Sequence, residues 1–181
     1  MQGNPENQET VSDETRQQVV GYLRHQASKS TADLLGLVDR SEGWIDRSLE
    51  GVSESQAQFC PEPGEWCIAE VLRHVDASMR GTARLVTALA AGENVSAKMA
   101  NPPVDTAPKT LAELRRGVAR SFDELRAAVT AIPDGADSKA TANHPFFGDL
   151  TCKEWAAFVY VHARDHADQI EKVKADPAFP R

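Results

Sequence analysis

The stretch "CIAEVLRHVDASMRGTARLVTALAA", residues 67–91, decides the fold class. Its apolar residues Ile68, Val71, Leu72, Val75, Met79, Leu85, Val86 and Leu89 recur at steps of three and four. That is the period of a helix with one buried side, whereas a half-buried strand would alternate every second residue. Gly92 suits the C-terminal stop, because glycine adopts the left-handed conformation that ends many helices.

The same period extends outward in both directions. Residues 31–50 carry Leu34, Leu35, Leu37, Val38, Ile45 and Leu49, with Gly51 as a stop. Residues 111–131 carry Leu111, Leu114, Val118, Phe122, Leu125 and Val129, and a last helix runs from Cys152 to Lys174. Residues 12–28, with Val19, Val20 and Leu23, read as a helix that either stops or runs on into the next. Thr110 with Glu113, and Thr151 with Glu154, have the spacing of capping boxes, in which hydroxyl and carboxylate satisfy orphan backbone donors. Cys67 and Glu70 repeat that spacing with a thiol.

The connections "VSESQAQFCPEPGE" (52–65), "GENVSAKMANPPVDTAPK" (92–109) and 132–150 are polar or rich in proline and glycine, with one short helical turn expected at 53–58. No segment alternates like a strand, and there is no internal repeat. The expected fold is all-α: a four-helix bundle with an N-terminal helical extension. The expected layout is a disordered tail over 1–11, one helical domain over 12–176 and a C-terminal tail over 177–181. The ending "DPAFPR" cannot continue the last helix.

Composition narrows the function. The chain has 181 residues, 41% hydrophobic and 26% charged, with a net charge of −7. A diffuse acidic balance without a basic stripe argues against nucleic-acid binding. Apolar stretches are broken by charge before the roughly 20 residues of a membrane span. The polar N-terminus is not a signal peptide. Three cysteines, Cys60, Cys67 and Cys152, give an odd count with no C-x-x-C pair, which reads as a reducing cytoplasm without a disulfide framework.

Five histidines remain. His162 and His166 stand four apart beside the apolar stripe of the last helix, which includes Trp155, Phe158, Val159, Ile170 and Val173. His74 follows Val71 by three, and its face continues through Ala77, Ser78 and Gly81, whose small side chains leave space beside the imidazole. Three neutral imidazoles facing a bundle interior suggest a metal site with an open position. The alternative is three hydrogen-bonded core histidines. Asp165 and Asp168 are either carboxylates that orient the rings or solvated surface charges, with the latter preferred. His25, among Arg24, Gln26 and Lys29, reads as a surface residue. His144 either reaches the mouth of a pocket or bonds within its own turn, the second being preferred.

Two blocks resemble the DinB-like (YfiT/DinB) family. "PEPGEWCIAEVLRHV" (61–75) resembles the start of the family's second helix, where a Trp, a capping residue, a Glu and a His follow a turn containing Pro and Gly. "HPFFGDLTCKEWAAFVYVHARDHADQI" (144–170) resembles its other block: His-Pro, a nearby Gly, a Trp, then H-x-x-x-H and a Gln. The resemblance implies an up-and-down bundle of unusual connectivity, often dimeric, binding a divalent ion, commonly nickel or zinc. The implied metal ligands are His74, His162 and His166. Cys67 departs from the usual Ser or Thr; it either caps less well or lies close enough to the metal to ligate or oxidise.

The implied function is a metal-dependent enzyme that transfers a low-molecular-weight thiol to an electrophilic small molecule. A metal-dependent hydrolase and a non-catalytic binding or structural bundle are the alternatives. Glu70, Asp76 and Asp165 are general-base candidates by proximity in sequence alone. Nothing in the loops specifies a substrate.

Overall fold

The computed structural model describes residues 12–93, 95, 104–133, 135–136 and 139–181. The tail expected to be disordered, 1–11, and much of the 92–109 connection lie outside the described residues. The elements are α1 (Asp13–Ala27), α2 (Thr31–Ser48), α3 (Glu54–Ala57), α4 (Ile68–Ala90), α5 (Leu111–Thr130), β1 (Thr141–His144), β2 (Gly148–Thr151) and α6 (Cys152–Lys174).

Local chemistry sets the helix starts. Thr110 and Thr151 accept from the backbone N–H groups of Glu113 and Glu154, whose carboxylates accept in return from the two threonine N–H groups. α1 and α2 are separate helices because Ser30 and Asp33 form a further box between them, with both reciprocal bonds at 3.2 Å. The short α3 also supports another helix: Glu54 accepts from the N–H of Leu111 at the start of α5, 2.7 Å away. Gly92 follows α4 at φ 81°, a conformation that costs a side-chain-bearing residue strain.

The four long helices pack in the ring α2–α5–α4–α6, each mainly against its two ring neighbours. Sequence order runs differently. α2 leads across the bundle to α4, and α5 leads across it to α6, which is why the chain needs long connections at 49–67 and 131–151. Leu34, Leu72, Leu85, Phe122, Leu125, Trp155 and Ile170 are fully or almost fully buried in the shared core. Each such side chain contributes roughly 1.5–3 kcal/mol by leaving water.

Polar clamps fix the helices laterally. Arg126 of α5 pairs with Asp39 and Glu42 of α2. Burial opposes its charge, but those two hydrogen bonds outweigh burial and hold the guanidinium firmly protonated. α1 lies outside the ring against α6. It buries Leu23 and stacks Tyr22 on Tyr160 at 5.9 Å, and Tyr160 meets Trp44 of α2 at 4.4 Å. The C-terminal tail folds back on α3: Phe179 packs edge-on to Phe59, and Gln56 donates to the carbonyl of Pro180.

Two sequence expectations need correction. A β-hairpin precedes α6, with Thr141 opposite Thr151 and His144 opposite Gly148. Its strands are four residues each, too short for an alternating pattern to stand out. Gly148, at φ 74°, closes the turn, and Trp155 donates its indole N–H to the carbonyl of Ala142, tying the hairpin to α6. Cys60 and Cys67 are joined as a disulfide, where no bridge was expected. The Pro61–Pro63 turn, helped by Gly64 at φ 95°, folds the chain back so that the two meet. Among the described residues, no helix is long and apolar enough to cross a membrane.

Candidate metal centre

His74 comes from the second turn of α4, and His162 and His166 from successive turns of α6, a helix directly packed on α4. The i, i+4 spacing turns both α6 imidazoles to the side that α4 faces. The three ligand-capable nitrogens lie within 4.8 Å of one another. The ring centroids are 4.4 Å apart for His162 and His166, 4.7 Å for His74 and His166, and 5.2 Å for His74 and His162.

All three rings are held neutral. Burial lowers the pKa of His74 to about 4, with the neighbouring His166 adding to the shift. Burial lowers His162 further below the ordinary range, and it lowers His166 as well, against the opposing bond to Gln169. A neutral imidazole offers a lone pair, which is the form that binds metal.

The nitrogens are not equally occupied. His166 Nδ1 lies 2.9 Å from Gln169 Oε1; an amide oxygen only accepts, so Nδ1 carries the proton and Nε2 is free. His74 Nε2 lies 3.3 Å from the Ser78 hydroxyl. His162 Nε2 is buried with no hydrogen-bond partner. An orphaned polar atom of that kind costs about 1–3 kcal/mol, and a buried, partnerless ring nitrogen on a member of a three-imidazole cluster is what a metal ligand would leave. The donor set of three neutral nitrogens therefore fits a divalent transition-metal ion.

An aromatic wall surrounds the triad. Trp66, just before α4, lies parallel to His166 with centroids 6.2 Å apart and meets His74 at 5.1 Å. Phe158 meets His162 at 5.5 Å on the hairpin side. His144 packs on Phe158 at 4.6 Å, and its Nδ1 accepts from the N–H of Phe146. The turn-bonded reading of His144 is the one realised. Burial takes its pKa down to about 4.

Other candidates fall elsewhere. His25 is exposed, as expected. Asp165 and Asp168 are exposed, and Asp168 pairs with Arg164; Gln169 makes the orienting contact instead. Glu70 caps the N–H of Cys67, and Asp76 pairs with Arg80. Ser78 stands beside His74, but Ala77 lines a groove between α4 and α5. Cys67 is not grouped with the histidines; it forms a separate cluster with Cys60 and Glu70, whose ligand-capable atoms also lie within 4.8 Å. Cys152 is a buried free thiol whose pKa is raised by burial. Sequence reasoning gave Trp66 and Gln169 no role, although both stand in the quoted blocks. An aromatic one residue before a helix cap and an amide three residues after a histidine were the available signals.

The model of the DinB superfamily matches residues 37–170, which include all three histidines. A Bacillus subtilis (strain 168) protein, "Uncharacterized protein YuaE", is 25% identical over 153 residues, spanning 75% of this chain and 92% of that protein. The crystal structure of TT2238, a four-helix bundle protein, superposes with a TM-score of 0.58 at 21% identity, covering 79% of this chain and 99% of that one. At that identity the likeness establishes the bundle fold alone.

Proposed function

Because this chain belongs to the DinB superfamily, we propose that it is a metal-dependent enzyme in which His74, His162 and His166 hold a divalent ion, nickel or zinc. The proposed reaction is transfer of a low-molecular-weight thiol to an electrophilic small molecule. The observation that carries the metal reading is the buried, partnerless Nε2 of His162 among two other neutral imidazoles. A bound ion would supply Lewis acidity, lowering the pKa of a thiol at the open position.

The chain's own residues prepare that position. Gln169 fixes the proton of His166 on Nδ1 and so turns Nε2 towards the triad. Burial keeps the rings unprotonated at neutral pH. Trp66 and Phe158 flank the rings with apolar surface, which limits water and strengthens charge interactions in the site. Thiol transfer ranks above hydrolysis because a thiolate needs no carboxylate to activate it. Of the general-base candidates, Glu70 and Asp76 are bonded elsewhere and Asp165 is exposed, as is the neighbouring Asp168, which pairs with Arg164.

Elemental analysis of protein purified without a His tag tests the reading. About one divalent ion per chain is expected, and His162→Ala should lose it. No metal, or metal unaffected by that substitution, would sink the proposal. Faster conjugation of thiols to electrophiles than hydrolysis of amides would separate transferase from hydrolase. We also propose a homodimer, against which a one-chain mass by light scattering would count.

A further inference from the structure

A groove of about 540 Å³ lies between α4 and α5, and none of the three histidines lines it. Its lining holds six cations, Arg73, Arg80, Arg84, Lys109, Arg116 and Arg120, against three carboxylates, Asp76, Asp105 and Glu113. This excess of positive charge stands in a chain whose net charge is −7. Composition alone would predict the opposite sign.

The cations differ in how far they are already neutralised. Arg80 is paired with Asp76 and Glu124, and Lys109 with Asp105. Arg73 spends one guanidinium nitrogen on the backbone carbonyls of Asp105 and Ala107, at 2.9 and 2.6 Å, which binds its hydrogens and leaves its charge. Arg120 donates to the carbonyl of Arg116. Arg84 and Arg116 have no ion pair or side-chain hydrogen bond among the described residues. Glu113 is turned to Thr110, whose N–H and hydroxyl it accepts at 2.8 and 2.9 Å.

The spacing is that of an oxyanion clamp. Arg80 and Arg84 stand one turn apart on α4, and Arg116 and Arg120 one turn apart on α5. Like charges at i, i+4 repel, and two such pairs lining one groove raise the cost further. A ligand with several negative oxygens would relieve that repulsion, and the guanidinium fork matches phosphate and carboxylate oxygens two at a time. Ala77 and Gly117 also line the groove, and the Asp76 carboxylate, held by Arg80, lies over Gly117. The volume falls in the range of small-molecule sites, roughly 300–1,000 Å³, and the polar lining disfavours an apolar guest.

We propose that the α4/α5 groove is a binding site for a small multiply charged oxyanion, a phosphorylated or polycarboxylated metabolite, independent of the histidine centre. Calorimetric titration of the full chain with pyrophosphate and, separately, with citrate tests this. Metal is first removed with a neutral chelator and dialysis, so that neither anion can bind through an ion on the histidines. At low salt, one saturable site per chain is expected, with Arg84→Ala and Arg116→Ala each weakening it by roughly tenfold or more, as loss of a charge-assisted bond implies. Arg164→Ala, whose guanidinium lies over Trp44 of α2 and does not line the groove, should leave the affinity unchanged. Tighter pyrophosphate would assign a phosphorylated ligand, and tighter citrate a polycarboxylate. No saturable binding of either up to about 1 mM, the weak end of specific association, would overturn the proposal. So would equal weakening by Arg164→Ala, which would mark general charge attraction.

Discussion

His162 Nε2 is buried without a partner, and that sets a stability cost inside the site. Metal-free His162→Leu protein should be as stable as the parent or more stable by about 1 kcal/mol, since the orphaned nitrogen is gone. With zinc present the order should reverse, because only the parent gains the binding free energy. Urea melts with and without zinc check both arms; a strongly destabilised metal-free variant would mean that the nitrogen has a partner. The neighbouring His74 makes stability depend on pH. Its imidazole protonates near 6.5 when unfolded and at about 4 when folded. Between those values the unfolded state holds the extra proton, so the metal-free fold keeps its full stability above about 6.5 and loses it as pH falls towards 4. His74 alone accounts for ~3 kcal/mol across that window. Melts at a series of pH values should show that slope, and a flat profile would refute it. The three histidines were legible in the sequence because i, i+4 spacing and an apolar stripe are local facts. The partner of His166 was less so: Asp165, Asp168 and Gln169 are all near it in sequence, and only rotamer and burial select the amide.

At the level of elements, α4 and α5 meet at Gly117, over which the Asp76 side chain lies. A Cβ added there would lie 3.0 Å from Asp76 Oδ2, and Asp76 is held by Arg80. Alanine normally stabilises a helix by about 1 kcal/mol over glycine. Here Gly117→Ala should fail to give that gain, whereas in an Asp76→Ala background the same change should give it. A double-mutant cycle measured by urea unfolding should therefore show coupling of about 1 kcal/mol or more. Additivity would mean that the helices simply move apart. The starts of α5 and α6 were readable because each carries its own hydroxyl–carboxylate pair; Ser30 and Asp33, which end the ambiguity between α1 and α2, follow the same rule. The hairpin was not readable, because four-residue strands offer too few positions for a period of two to register.

Across the whole molecule, α1 is the part most easily separated from the ring. It stacks Tyr22 on Tyr160 and contributes the fully buried Leu23. Deleting residues 1–28 should leave a folded bundle that is less stable by roughly 3 kcal/mol, one buried leucine and one aromatic stack. Circular dichroism and urea unfolding would show it; complete loss of helix would mean that α1 belongs to the core. The ring order α2–α5–α4–α6 could not be read from periodicity, which tells which side of a helix is buried and not which helix covers it.

The bridge between Cys60 and Cys67 bears on how ions are counted in this protein. While it is closed, its sulfurs are withheld and the histidine cluster remains as a candidate donor set. A reducing buffer would open it by thiol exchange and release two thiols beside the Glu70 carboxylate, a donor set that zinc accepts. Stoichiometry measured under reduction would then sum two populations, one held by sulfur and one by nitrogen. Cys60→Ser protein, unable to close the bridge or complete that set, would report the nitrogen population alone.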